Sequence, residues 1–155
     1  MQKGGVPLRS ALIVLIVYGL FGFSSLAYAF CFDEAGAMYG VSPELLKDIA
    51  TVESNLRPDA IHWNDGHSGS FSVGMMQVNS YWYPKIGHDL WMQLGDPCTN
   101  VKVGAWILAG CIQQYGYNWK AVGCYNAKTP YKMAAYAQKV YKVLQKSLVN
   151  ESGGN

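Results

Sequence analysis

Residues Ser42 to Asn55 read SPELLKDIATVESN, and the fold turns on how the glutamate near the end of this stretch is read. Ser42 supplies a side-chain cap, and Pro43 fits the first helical position, where a missing N–H costs nothing. At roughly 100° per residue, Leu46, Ile49 and Ala50 form one stripe with Leu45 at its edge. Glu44, Lys47, Asp48 and Thr51 point the other way. Glu53 then falls about 20° from Leu46, in the middle of the apolar stripe. An ionised carboxylate is costly to desolvate, so a Glu facing the core is rare unless paired. The plain alternative is a helix that frays before Asn55 and turns Glu53 to water. The helical wheel alone does not choose between the two.

Upstream of this helix the chain opens like an exported protein. Lys3 and Arg9 precede an apolar run, Ala11 to Phe23, which has the length of a secretory h-region and is shorter than a membrane span. Ala27-Tyr28-Ala29 follows as a cleavage signal. Residues 1–29 are therefore expected to be a signal peptide, with an uncleaved N-terminal anchor as the alternative. Cys31 is not the first residue after that site and Phe30 is too large for a lipobox, which argues against a lipoprotein. After cleavage no stable membrane insertion is expected. Subtracting 29 from 155 residues leaves 126, enough for one domain with a moderate core.

Without Lys3 and Arg9, ten basic side chains face ten acidic ones, so the mature chain is formally neutral. No nucleic-acid partner is expected. The charges are unevenly placed: nine acids and three bases from Phe30 to Pro97, then seven lysines and no acid from Cys98 to Lys146. This asymmetry suits an anionic polymer, or equally a solvated helix face bearing Lys132, Lys139, Lys142 and Lys146. Four cysteines in an exported chain imply two disulfides with three connectivities. The favoured pairs are Cys31–Cys98 and Cys111–Cys124, the second joining two helices across a short turn. The cysteine spacing does not resemble a zinc ribbon. His62 and His67, with Asp65 between them in a loop, give no supported metal site, and neither metal nor cofactor is expected.

Further signals lay out a mainly α domain over residues 30–149, with a small loop or hairpin excursion. Asp33 to Tyr39 is a short helix ended by Gly40. Arg57-Pro58-Asp59 breaks the helix that starts at Pro43. Residues 60–73, AIHWNDGHSGSFSV, are a polar loop with room for a hairpin. Asp96-Pro97 opens a long helix to about Tyr115, where Gly116 ends it, with Val101, Ala105, Leu108 and Ile112 on its core face. Asn118 to Tyr125 is a short helix. Thr129-Pro130 starts the last helix, with Met133, Ala137, Val140, Tyr141 and Leu144 on one face. Residues 150–155 read as a disordered tail. Trp106 and Trp119 are expected in the core, whereas Trp63, Tyr81, Trp82 and Tyr83 are candidates for stacking on a ligand.

Three pieces fall in order: Glu53-Ser54 at a helix end, GMMQVN at Gly74 to Asn79, and Tyr125-Asn126-Ala127 after a helix. Together they resemble the SLT-type lytic transglycosylases, which have a lysozyme-like fold and cleave peptidoglycan. The resemblance covers about Cys31 to Leu144. DPCTNVKVGAWIL at Asp96 to Leu108 and the YGYNWKAVG stretch look most like the specialised branch that accompanies secretion, conjugation and type IV pilus machines. The resemblance implies Glu53 as catalytic acid and Ser54 as a residue that steadies the carboxylate or its substrate. It also implies Gly74, Met75, Met76 and Gln77 along a sugar groove, and Tyr125 and Asn126 beside the glutamate. Peptidoglycan strands would be the substrate, the periplasm the location, and an envelope-spanning machine the partner.

The residues themselves carry part of this. An acid on an apolar helix face should retain its proton near neutral pH, as a general acid requires. Met75 and Met76 fit a core as well as a groove, and Tyr125 fits either role. The Gln77 amide needs a partner, which a carbohydrate or a backbone group supplies equally well. Hydrolases of this fold normally use two carboxylates. Where some relatives carry an acid two residues before the glycine of the GMMQ turn, this chain has Ser72. Asp65 is the nearest other acid and reads as a turn residue. The lack of a second acid favours transglycosylation to 1,6-anhydromuramyl ends. The alternatives are a lysozyme-type muramidase and a non-catalytic glycan-binding assembly component. Two departures stand out: Cys124 where alanine is common, which the disulfide to Cys111 explains, and Lys128 where glycine is common, which is expected to point outward, with contact to peptide-stem carboxylates as the alternative.

Overall fold

Three long helices that begin at a proline frame the molecule, and each starts where its cap signal lies. The computed structural model describes residues 23–64 and 69–152. Most of the expected leader, residues 1–22, lies outside the described residues. Helix α1 spans Phe23–Tyr39, beginning earlier than the helix expected from Asp33. No proline or glycine interrupts Phe23 to Ala35, and extending a helix costs far less than starting one. Gly40, at φ 67°, ends it in the left-handed conformation that glycine adopts without penalty.

Helix α2 is Pro43–Ser54, and the Ser42 hydroxyl accepts from the Leu45 N–H at 3.2 Å. Three antiparallel strands follow: β1 (Ile61–Trp63), β2 (Phe71–Val73) and β3 (Val78–Asn79), in the order β1-β2-β3. The hairpin excursion is thus a small sheet, with His62 opposite Ser72 and Ser72 opposite Asn79. A 3-10 turn (Ser80–Trp82) and two short helices, α3 (Tyr83–Ile86) and α4 (His88–Met92), lead to helix α5 (Pro97–Tyr115). Asp96 caps α5, accepting from the Thr99 N–H at 2.8 Å. Asn118 likewise caps α6 (Trp119–Asn126), and α7 (Pro130–Ser152) closes the fold. The domain is mainly α and lysozyme-like, as expected. Among the described residues no helix is long and apolar enough to cross a membrane.

Leu46, Ile49, Met76, Leu94, Leu108 and Val140 form the centre of the core, all essentially sealed from water. They come from α2, the β2–β3 turn, the approach to α5, α5 itself and α7, so the site-bearing segments meet at the core. Both favoured disulfides are present. Cys31–Cys98 ties α1 to the start of α5, and Cys111–Cys124 ties α5 to α6, with Cα atoms 5.1 and 5.8 Å apart. Close packing needs glycine at two points, one where α5 meets the β2–β3 turn and one where α6 meets α7. A Cβ on Gly104 would sit 2.7 to 2.8 Å from Met76 side-chain atoms, and one on Gly123 would meet the Met133 backbone at 2.3 Å.

Four side-chain expectations change in three dimensions. Asp48, on the polar side of the wheel, is only 5 % exposed. Helix α2 packs on α1, α5 and α7, so more than one of its faces is covered. Trp106 and Trp119 are 39 % and 41 % exposed and shield their flanks at the surface. Trp106 packs edge-on against Trp82 and Trp119 against Tyr141. On α7 the core stripe is Met133, Tyr136, Ala137 and Val140, while Tyr141 is exposed. Helix α7 also continues past Asn150, where a disordered tail was expected, because no helix breaker precedes Gly153.

Candidate active site

Glu53 sits in the last turn of α2, and that turn is stapled rather than frayed. Asn55 caps it in the left-handed conformation, its N–H reaching the Ala50 and Thr51 carbonyls. Leu56 (φ 61°) continues the reversal, and its N–H reaches the Ala50 carbonyl at 3.3 Å. A positive φ is uncommon for a leucine and strains the backbone; these hydrogen bonds and that of the Arg57 N–H to the Ser54 hydroxyl hold the reversal. The carboxylate therefore stays on the apolar face.

Its partner is Tyr136 of α7, whose hydroxyl donates to Glu53 Oε1 at 2.5 Å. Burial pushes the Glu53 carboxyl from the usual 4.5 up to about 7, against the opposing pull of the Tyr136 hydrogen bond and the Lys139 charge. Tyr136 and Tyr125 stack with ring centroids 6.4 Å apart. Both phenols are held protonated well above their ordinary range, first by burial and then by the nearby Glu53 charge. The site is thus an acid that keeps its proton near neutrality, backed by two neutral phenols.

The turn joining β2 to β3 is Gly74-Met75-Met76-Gln77. Asn100, fully buried on α5, organises it. Its Oδ1 accepts from the Met76 N–H at 2.7 Å, while its amide donates to the Val73 and Leu94 carbonyls at 3.0 and 3.2 Å. Gly74, at φ 75°, admits that amide: a Cβ there would lie 2.1 Å from Asn100 Nδ2. The Ser54 hydroxyl donates to the Met75 carbonyl at 2.8 Å and accepts from the Arg57 N–H. Ser54 therefore joins the helix end to the turn rather than meeting the Glu53 carboxylate. Gly74, Met75 and Met76 are buried behind the groove. Gln77, at φ 48°, does reach it. Its amide nitrogen donates to the Ala60 and Gly74 carbonyls at 3.1 and 2.8 Å, so a backbone pair, not a carbohydrate, satisfies that donor.

The groove encloses about 760 Å³. Glu53, Gln77, Tyr125 and Asn126 line it on one side, with Tyr81 and Trp82 from the 3-10 turn among its other walls. The Tyr125 hydroxyl donates to the Met76 carbonyl at 2.7 Å, so this tyrosine braces the GMMQ turn as well as flanking the acid. Asn126 is exposed on the rim. Trp63 and Tyr83, also sugar-stacking candidates, lie outside the lining and pack with Phe71 and Trp91. Ser72 lines the groove where a second acid was sought, and its hydroxyl accepts from the Asn79 amide. Among the described residues that line the groove, Glu53 is the only carboxylate; Asp65 lies outside the described residues. Lys128 turns inward instead of outward, its ammonium 5.0 Å from the Tyr81 ring centroid.

Two residues escaped the sequence reading. Tyr136 occupies the position after Ala135 on the same stripe as Met133 and Val140, and was passed over in favour of Tyr141. Asn100 shares a face with Gly104 and Leu108. A buried amide there demands partners, the same signal that marked Gln77.

A partly buried acid beside an open groove, on a lysozyme-like helical frame, places the chain in a class of domains. Residues 30–146 match the family described as "Transglycosylase SLT domain", and the chain belongs to it. The chain is 40% identical over 127 residues to invasion protein IagB of Salmonella typhimurium (strain LT2), covering 77% of this chain and 78% of that protein. It is 38% identical over 134 residues to a peptidoglycan-binding-like protein of Escherichia coli O157:H7, with the same coverage. Protein IpgF of Shigella flexneri is 35% identical over 124 residues, covering 76% of this chain and 80% of that protein.

Proposed function

We propose that this protein is a peptidoglycan lytic transglycosylase that cleaves the β-1,4 bond between N-acetylmuramic acid and N-acetylglucosamine. The observation that carries this reading is Glu53, the one carboxylate among the described residues that line the groove, with its pKa raised to about 7. In the first step the Glu53 carboxyl gives its proton to the glycosidic oxygen as the bond from that oxygen to the muramyl C1 breaks, with support from the N-acetyl oxygen at C1. In the second step the Glu53 carboxylate takes the proton of the muramyl C6 hydroxyl, whose oxygen bonds to C1. The acid is regenerated, no water is consumed, and a 1,6-anhydromuramyl end results.

Two-carboxylate hydrolysis requires a second acid to activate water or attack C1. Ser72, at the position sought for that acid, has no basic group of comparable strength. The Tyr136 hydrogen bond steadies the ionised form of Glu53 between the two steps, and the buried surroundings favour its protonated form, so one group can serve both as acid and as base.

The two disulfides belong to an oxidising compartment, which supports action in the periplasm. The likeness to a protein named for invasion supports local wall opening for an envelope-spanning machine of the secretion, conjugation or pilus kind. Mass spectrometry of digested sacculi tests the chemistry: anhydro ends are expected. Ends formed only by water addition would point to a muramidase, and intact sacculi with bound protein to an assembly component.

A further inference from the structure

We propose that Lys128 on the groove lining and Lys85 just outside it form, with Tyr81, a carboxylate-binding subsite at the groove edge, selective for glycan that still carries its peptide. This rests on the glycan-cleaving reading above. Lys85 comes from α3 and Lys128 from the loop between α6 and α7, and the two converge on one ring. The Lys85 ammonium lies 3.3 Å from the Tyr81 hydroxyl oxygen, 4.7 Å from the Tyr81 ring centroid and 4.4 Å from the Trp82 centroid. The Lys128 ammonium lies 5.0 Å from the Tyr81 centroid. Tyr81, Trp82 and Lys128 all line the groove that holds Glu53, and Lys132 adds a third cation to that lining.

Two ammonium groups gathered at one aromatic side chain repel each other. Contact with the rings recovers part of that cost and gathers both exposed charges beside Tyr81. Among the described residues no carboxylate pairs with either lysine, whereas Lys102 does pair with Glu34 at 2.8 Å. The Tyr81 phenol is lowered from its ordinary range, first by the Lys85 hydrogen bond and then by the Lys128 charge, as expected of a local excess of positive charge.

The groove's one described acid, Glu53, is held by the Tyr136 hydroxyl and pairs with neither lysine. An anionic ligand completes the arrangement. A peptide borne on the lactyl ether of each muramyl residue brings free carboxylates to the wall that its sugar touches. Charge-assisted hydrogen bonds from the two ammonium groups would then hold it.

The test uses the full chain with Glu53→Gln, so that ligands are bound and not cleaved. Calorimetric titration compares glycan strands that carry peptides with the same strands stripped of peptide by an amidase. The expected result is about tenfold tighter binding of peptide-bearing strands, reduced as salt rises. Adding Lys85→Gln and Lys128→Gln together should abolish the preference and leave binding of stripped strands unchanged. Lys85→Arg with Lys128→Arg should retain it.

Equal binding of the two ligands by the parent overturns the subsite. So does an equal loss on both ligands in the glutamine variant, which would make the lysines mere supports for the aromatic wall. Lack of binding to either strand would instead overturn the glycan-cleaving reading itself, and the subsite with it.

Discussion

The two walls of the groove are built on opposite principles. The side formed by the end of α2, the GMMQ turn and Tyr125 of α6 is largely buried, and its polar groups find partners inside the protein. Asn100 serves three backbone groups, Ser54 and Tyr125 hold two carbonyls of the turn, and Tyr136 holds the acid. The facing wall of Tyr81, Trp82 and Lys128 is held mainly by ring and cation contacts at the surface. Burial on the first side shifts the carboxyl to a value useful for proton transfer. Exposure on the second leaves side chains free to meet a ligand. The proposed acid therefore stands where hydrogen bonds fix the fold, and the proposed subsite where side chains are accessible.

The largest expected effect is at the acid itself. Glu53→Gln keeps the shape and removes the transferable proton, so sacculus cleavage should fall about 10³-fold or more, with the fold retained. Cleavage at the parental rate would remove Glu53 from the mechanism. The same variant tests the burial. The folded chain holds the Glu53 proton up to about 7, whereas the unfolded chain releases it near 4.5. Between those values the folded state binds more protons, so the parent loses stability as pH rises, and the loss is complete above about 7. That interval corresponds to about 3 kcal/mol. The stability advantage of the glutamine variant over the parent, from urea unfolding, should accordingly grow between pH 4 and pH 8. A difference that does not vary with pH would mean the acid is not desolvated.

Next in size is the scaffold behind the wall. Asn100→Ala strands the Met76 N–H and the Val73 and Leu94 carbonyls, at a cost of about 3 kcal/mol, seen as a lower urea midpoint with the slope unchanged. A loss under about 0.5 kcal/mol, the range of ordinary surface changes, would show that the turn holds itself.

The smallest effect is at Tyr136. Removing its hydroxyl with Tyr136→Phe takes away the hydrogen bond that pulls the Glu53 carboxyl down. The alkaline limb of the pH–rate profile should move to higher pH, and the rate at the optimum should fall about tenfold, as expected for losing one hydrogen bond of about 1.4 kcal/mol. A profile that stays in place would make Tyr136 a packing residue only.

Much of this molecule is written locally. Ser42-Pro43, Asp96-Pro97 and Thr129-Pro130 mark helix starts because capping depends on a few adjacent residues. The favoured cysteine pairs followed from spacing and helix order, and Glu53 drew notice because helical period is a local property. What the chain did not disclose depends on contacts between distant segments. Asp48 is buried because three helices surround α2. Trp106 and Trp119 stay at the surface because their neighbours are other rings. Lys128 turns inward because Tyr81 stands 5.0 Å away, 47 positions earlier in the chain by subtraction.

By itself, then, the sequence determined the helical order, the two covalent staples and the presence of one acid on an apolar face, since each follows from neighbours within a turn or two or from thiol chemistry. Only the tertiary structure decided what that acid is. It brought Tyr136, 83 positions away, onto the carboxylate, and it placed Asn100 behind the turn. Desolvation and hydrogen bonding are sums over neighbours in space, and those sums turn an awkwardly placed glutamate into a proton-retaining one.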